Sequence, residues 1–361
     1  MKEKIKHSAL HEKEGIPHPE IFSKTSIEKI THFRKIQPTS NQLIQGILNQ
    51  DKVALSRAIT LVESSNLNHL EKANEVISGC LPYANNSVRI GITGVPGVGK
   101  STFIEAFGTY LTSMGKKVAV LAVDPSSSLS HGSILGDKTR MEELVKNENA
   151  FIRPSASGET LGGVAKKTRE SIILCEAAGF DVILIETVGV GQSEIAVHSM
   201  VDFFLLLNIS GAGDELQGIK RGIMEMADAI VINKSDGDNI NKAKLAKTEF
   251  SRALHLYKKK KSGWQPSVTT CSAVLNTGIE EVWKTMEHYF ELVKTNHYFE
   301  SNRKNQSQFW MMETINEQLK ANFFTHNVVK DTLVELKDQV VHNKMSPFSA
   351  ANQLLDIYFK K

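Results

Sequence analysis

The chain has little that would tie it to a membrane, to nucleic acid or to an oxidising compartment. Only three cysteines occur in 361 residues, Cys80, Cys175 and Cys271, with no C-x-x-C pair. That spacing excludes a disulfide framework and a thiolate metal site, and it fits a reducing compartment. No apolar run approaches the roughly 20 residues that a membrane-spanning helix needs. A net charge of +3 is too small to argue for a nucleic-acid partner. The one dense basic run, Lys258 to Lys261, reads as a solvated loop rather than a polyanion site. Twelve histidines form no metal-binding pair on a helix face. The opening residues Met1 to Lys24 are polar and carry Glu3, Glu12 and Glu14, so they resemble neither a signal peptide nor a mitochondrial presequence. A cytoplasmic location is the expectation. What the chain does have is a hydrophobic fraction of 41%, ample for a sizeable core. Its length suits two or so domains at about 150 residues each.

The most informative stretch is Gly94-Val95-Pro96-Gly97-Val98-Gly99-Lys100-Ser101. It has the G-x-x-x-x-G-K-S spacing of a phosphate-binding loop. An apolar β-branched run, Val88 to Ile92, precedes it, and Thr102 to Met114 follows with apolar residues at helical spacing. Strand, glycine loop and helix together turn a pattern into a mechanism. Glycines let backbone N–H groups converge on phosphate oxygens, and the helix start adds unpaired donors. Lys100 is the candidate for the β and γ phosphates, and Ser101 for Mg²⁺.

A second motif names the base. Ala229 to Ile232 reads as a buried strand ending in Asn233-Lys234-Ser235-Asp236. Asp236 can accept from both the ring N–H and the exocyclic amine of guanine, a pairing that adenine cannot return. The Lys234 stem can lie on the purine, and Asn233 can tie the reader to the phosphate loop. A buried carboxylate left unpaired penalises the wrong base. Downstream, Ser272 and Ala273 follow the strand Ser267 to Thr270 and are placed for backbone contacts to the guanine oxygen.

The third element is a metal and switch region. The apolar run Asp181 to Ile185 leads into Glu186-Thr187-Val188-Gly189. Glu186 stands where most GTPases carry an Asp, and the Gly189 N–H is placed to sense the γ-phosphate. Val190 follows, so the water-orienting glutamine of Ras-like proteins is missing there, and Gln192 has the wrong spacing to replace it. Slow intrinsic hydrolysis is therefore expected. Asp124 and Asp137 are carboxylates on loops at the nucleotide edge, suited to Mg²⁺ and water. From spacing alone, Asp137 serves equally well as the N-cap of a helix starting at Lys138.

Strands at 88–93, 117–123, 150–153, 181–186, 203–209, 229–233 and 267–271 alternate with helical stretches. The pattern is that of an α/β P-loop fold, a mostly parallel sheet flanked by helices. Residues 1–85 read as an N-terminal helical extension in which Leu55, Ile59 and Val62 share a face, residues 86–294 as the nucleotide domain, and 295–361 as a helical C-terminal segment. There, Phe309, Met312, Ile315, Leu319 and Phe323 form one stripe and Val329, Leu333, Leu336 and Val340 another. Such stripes are usually core.

Several stretches together resemble the MeaB/ArgK family of GTPases. They are Ala54 to Ser64, Gly91 to Gly97, Val123 to Ser127, Glu186 to Glu194 and, most specific, Gly211-Ala212-Gly213-Asp214-Glu215-Leu216-Gln217-Gly218-Ile219-Lys220-Arg221-Gly222. The resemblance runs from about Gln42 to the C-terminal helices. It implies a GTP-dependent chaperone of an adenosylcobalamin-dependent acyl-CoA mutase, chiefly methylmalonyl-CoA mutase, gating cofactor loading and stimulated by its client. It also implies that Asp124, Asp137 and Glu186 serve Mg²⁺ and the switch, which favours function over capping for Asp137. The loop carrying Asp214, Glu215, Gln217 and Lys220 would be a third switch; its bland alternative is a strand-to-helix connection. A homodimer built by the C-terminal arm is implied too, with Trp310 beside Met311 and Met312 at its centre. The competing functions are a metal-inserting maturation GTPase, which needs a Cys/His site, and an ArgK-type kinase linked to basic amino-acid transport, which needs an acceptor pocket and a base.

Overall fold

The computed structural model describes residues 38–64, 66–123, 141–154, 161–187, 193–210 and 221–359. The expected site residues Asp124, Asp137, Gly189, Asp214, Glu215, Gln217 and Lys220 lie outside them.

Three helices come first: α1 (Ser40–Leu48), α2 (Lys52–Glu63) and α3 (Leu67–Cys80). Each start is fixed by a side-chain cap: Thr39 in a capping box with Gln42, then Asp51, then Asn66. Leu55, Ile59 and Val62 of α2 are buried, as their spacing requires. The alternating region follows with β1 (Val88–Gly94), α4 (Lys100–Ser113), β2 (Val118–Val123), α5 (Glu142–Lys146) and β3 (Ala150–Arg153). It continues through α6 (Leu161–Ala177), β4 (Val182–Thr187), α7 (Ser193–His198), β5 (Phe203–Ile209), α8 (Arg221–Met226), β6 (Ala229–Asn233), α9 (Ile240–His255) and β7 (Ser267–Thr270). Four helices close the chain: α10 (Ile279–Thr295), α11 (Tyr298–Thr325), α12 (Asn327–Val341) and α13 (Pro347–Phe359).

The strands form one sheet in the order β3-β2-β4-β1-β5-β6-β7, and every ladder is parallel. The fold is thus the expected α/β P-loop architecture. Continuous apolar strands fit a sheet covered on both faces. On one face Phe103, Phe107, Trp283 and Met286 of α4 and α10 close over Ile90 and Ile92. On the other, α1, α2, α3, α6 and α7 pack on Ile183, Ile185 and Phe204. Central β1 lies between β4 and β5, so its carboxyl end opens at the point where the strand order reverses. Ile92 is in register with Glu186, which brings the glycine loop and Glu186 off the sheet side by side.

Two expectations need correction. Trp310 is not free for an interface: it is 8% exposed and joins the chain's own core, whereas Met311 and Met312 are 57% and 51% exposed. The run Lys258 to Lys261 is not solvated throughout, because Lys260 turns inward to pair with Asp228 at 2.7 Å. The two C-terminal stripes also differ. Val329 and Leu336 are buried against Ala350 and Leu354, while Phe309, Met312, Ile315 and Leu319 of α11 remain exposed. Among the described residues no helix is long and apolar enough to cross a membrane.

Candidate nucleotide site

The site is assembled at the carboxyl ends of β1, β4, β6 and β7. Gly94 lets β1 turn beneath β5, since a Cβ there would sit 2.5 Å from the Leu207 carbonyl oxygen. Gly99 has a φ of 90°, a left-handed value that L side chains resist. An added Cβ at Gly99 would also lie 2.9 Å from the Asn233 amide nitrogen. Val95, Pro96 and Gly97 form the exposed rim of the loop, Val98 is buried beneath it, and Thr102 is exposed in the first turn of α4. Lys100 opens α4 and is buried, its ammonium donating to the Gly94 carbonyl at 2.8 Å. Burial pulls the Lys100 pKa down, and the carboxylates of Glu186 and Glu194 restore part of the loss. The Ser101 hydroxyl lies 3.3 Å from Glu186 Oε1.

The guanine reader is bound into this loop. Asn233 ends β6 and donates from Nδ2 to the Val98 carbonyl at 2.9 Å. Its Oδ1 accepts from the Ala273 N–H at 3.2 Å and from the Cys271 thiol at 3.4 Å. Lys234 adopts a φ of 55° and reaches the Gly97 carbonyl at 2.8 Å. The Ser235 N–H donates to the Cys271 carbonyl at 2.9 Å, and the Ser272 hydroxyl donates to the Asp236 carboxylate. One asparagine therefore joins the phosphate loop, the base reader and the segment after β7.

Residues 55–328 match the family model "Methylmalonyl Co-A mutase-associated GTPase MeaB". The chain belongs to this family. Among its relatives, a probable GTPase of Mycobacterium tuberculosis is 47% identical, with 88% of this chain and 95% of that one aligned. The mouse mitochondrial protein named methylmalonic aciduria type A homolog is 44% identical over 90% of this chain and 80% of its own. A crystal structure titled LAO/AO transport system kinase superposes with a TM-score of 0.72 at 38% identity, covering 90% of this chain and 99% of that one. Family membership makes the chain a P-loop GTPase of the MeaB/ArgK kind, linked to acyl-CoA mutase function.

The residues present fit GTP and Mg²⁺. A buried lysine whose ammonium is parked on a loop carbonyl is a cation placed for phosphate oxygens. Gly97, with a φ of 81° and nothing within 4 Å of a would-be Cβ, leaves a backbone cradle open. A serine hydroxyl beside a carboxylate is the hard oxygen pair that Mg²⁺ takes. Among the described residues no group of three or more His, Cys, Asp or Glu comes together as a metal cluster.

Three features were not anticipated from the sequence. Glu194, in the first turn of α7, is 7% exposed and acts on Lys100. The Thr187 hydroxyl donates to Thr93 Oγ1 at 2.9 Å in a buried link between β4 and β1. The Cys271 thiol braces Asn233, and burial pushes its pKa up to about 12, which keeps it protonated as a donor. Glu194 carried a signal, its place in the Glu186 to Glu194 stretch, but no spacing rule pointed it at Lys100.

Proposed function

We propose that this chain is a GTP-hydrolysing chaperone that gates adenosylcobalamin loading and protects an acyl-CoA mutase, methylmalonyl-CoA mutase first among them. The observation that carries the GTP-specific half is Asn233 spanning the Val98 carbonyl and the Ala273 N–H: base recognition and phosphate grip are one hydrogen-bonded unit. The client comes from the family. In this reading Gly94 to Thr102 cradle the phosphates, and Lys100 exchanges the Gly94 carbonyl for β and γ oxygens. Asn233, Lys234, Asp236, Ser272 and Ala273 hold guanine, the Ser272 hydroxyl keeping Asp236 oriented for the two donors of the base. Ser101 and Glu186, joined by Asp124 and Asp137, would hold Mg²⁺, which neutralises phosphate charge as the γ-phosphoryl leaves. Gly189 would sense the γ-phosphate, and Asp214, Glu215, Gln217 and Lys220 would carry nucleotide state to the mutase.

The three segments 1–85, 86–294 and 295–361 serve as extension, GTPase domain and arm. The exposed stripe Phe309, Met312, Ile315 and Leu319 supports a homodimer through α11, since contiguous apolar surface of this kind marks an interface. The deciding experiment is GTP turnover with and without methylmalonyl-CoA mutase of the same organism. Stimulation by the mutase, abolished in Lys100→Ala, is the expected result. Turnover that no acyl-CoA mutase alters would overturn the chaperone half and leave the GTPase. Phosphorylation of a periplasmic binding protein would favour the transport-kinase alternative instead.

A further inference from the structure

The basic run Lys258 to Lys261 is anchored at several points. Lys260 turns inward and donates to Asp228 Oδ1 at 2.7 Å and to the Met226 carbonyl at 2.6 Å. Trp264 Nε1 donates to the Asp228 carbonyl at 2.8 Å, and Asn296 Nδ2 to the Ser262 carbonyl at 2.8 Å. The Gly263 N–H closes the turn on the Lys260 carbonyl at 2.9 Å. A merely solvated run has no need of such anchors. With Lys260 fixed, Lys258, Lys259 and Lys261 line a cavity of about 970 Å³. All three are exposed and form no salt bridge among the described residues. That volume lies at the upper end of small-molecule sites.

The charge around the cavity is unbalanced. Of the carboxylates that line it, Asp202 is held by Arg303 at 2.6 Å and Asp228 by Lys260. Glu225 alone is left without a salt bridge, against three lysines. An excess of about two positive charges matches one phosphate monoester, which carries about −1.5 to −2 at pH 7. The facing wall comes from α11. Tyr298, Asn302 and Asn305 fall at i, i+4 and i+7, on one helix face. The Tyr298 hydroxyl and both side-chain amides have no hydrogen bond to any described residue. Buried Phe204, Met224 and Leu254 supply an apolar lining. His198 stands edge-on to Phe204, ring centroids 5.4 Å apart. Burial pulls the His198 pKa below its ordinary 6.5, so it adds a neutral ring to the lining at pH 7.

We propose that this cavity is a second ligand site, which takes a small phosphate monoester with a flat, ring-bearing body. Lys258, Lys259 and Lys261 meet the phosphate as point charges. Tyr298, Asn302 and Asn305 bond the polar edge of the body, and the apolar lining receives its ring. The site opens at the amino ends of β5 and β6, at the opposite edge of the sheet from the phosphate loop.

Pyridoxal 5′-phosphate is the probe, because it joins a phosphate to a flat ring. Its aldehyde condenses with a lysine amine and releases water, and borohydride reduces the imine to a stable secondary amine that peptide mass locates. The full-length chain is labelled with GDP and Mg²⁺ present to fill the phosphate loop. The expected result is saturable labelling of about one lysine per chain among Lys258, Lys259 and Lys261, half-complete below about 1 mM. Phenyl phosphate should protect these lysines at least about tenfold better than inorganic phosphate, the difference being the buried ring. A chain carrying both Lys258→Gln and Lys261→Gln should saturate about tenfold more weakly, read on Lys259, and Asn305→Leu about threefold more weakly. These substitutions alter exposed side chains, so thermal unfolding should remain that of wild type. Labelling that does not saturate, or that spreads evenly over other surface lysines, overturns the proposal. Equal protection by inorganic phosphate would reduce the site to an anion patch and overturn it as well. So would an absence of labelling here, the result if a second copy of the chain covers the cavity. The readout is the modified peptide, so failure of the GTPase reading would show separately, as labelling of Lys100 that GDP does not prevent.

Discussion

The two ends of the central sheet hold similar residues in opposite states. At the carboxyl end, Lys100 of α4, Glu186 of β4 and Asp236 after β6 flank the phosphate loop, in which Gly97 and Gly99 take left-handed values. At the amino end, Arg89, Glu176, Arg303 and Asp202 saturate one another. Glu176 accepts from Arg89 Nε and Nη2, the Ser87 hydroxyl and the Asn85 N–H, all between 2.7 and 2.9 Å. Charge beside an open backbone cradle is what a ligand can complete; charge locked in a closed network can only hold the chain together. The first end reads as function and the second as architecture, although both are buried and polar.

The largest expected effect breaks the saturated end. Arg303→Leu removes one cation from the network and leaves Asp202 facing backbone and little else. Truncating one partner of a buried pair costs about 3–5 kcal/mol, visible as a lower denaturation midpoint with an unchanged m-value. A loss under about 1 kcal/mol would mean that the network is not saturated and that the contrast between the two ends is wrong.

The same cut at the open end should behave differently. Lys100→Met removes a buried cation whose desolvation already works against its charge, so stability should move by no more than about 1 kcal/mol. Turnover should fall on the order of 10²–10³-fold, as when one preorganised donor to a developing anion is deleted. Large destabilisation with turnover preserved would assign Lys100 to the scaffold.

The open end was legible because its chemistry is local. The P-loop and N-K-x-D spacings are contiguous, and each follows an apolar run that became β1 or β6. All seven strands were readable for a similar reason, as short runs, mostly apolar, between helical stretches. The saturated end was not legible: Arg89 meets Glu176 across 87 positions, and Arg303 meets Asp202 across 101. No spacing rule links such partners. Trp310 shows the same limit on a smaller scale. Adjacency to Met311 and Met312 placed it with the exposed stripe, but helix geometry turns position 310 toward Arg303 and Gln306 and away from its neighbours. Which face of an amphipathic helix meets the core depends on the tertiary partner, here the Ser199 carbonyl.

The smallest effect is in pH, and it sharpens the comparison. Burial alone would raise the Glu176 carboxyl, but the Arg89 hydrogen bonds and charge, the Arg303 charge and the Asn85 N–H outweigh it and hold the pKa below its ordinary 4.5. Arg169, the remaining cation facing this network, is itself pushed down to about 10 by burial and by its neighbours Arg89 and Arg303, so it stays charged at any working pH. A depressed folded pKa means that the unfolded chain takes up the proton first. The Glu176 contribution is therefore complete above about pH 4.5 and is lost as pH falls from there through the folded value. Between pH 6 and 8 this network should give a flat stability curve by denaturant titration. In Arg303→Leu one of the cations holding the carboxyl is gone, so the decline should begin at higher pH than in wild type. If the two proteins lost stability over the same acid range, Arg303 would be holding Asp202 and the arm while contributing nothing to Glu176, and the four charges would be two separate pairs.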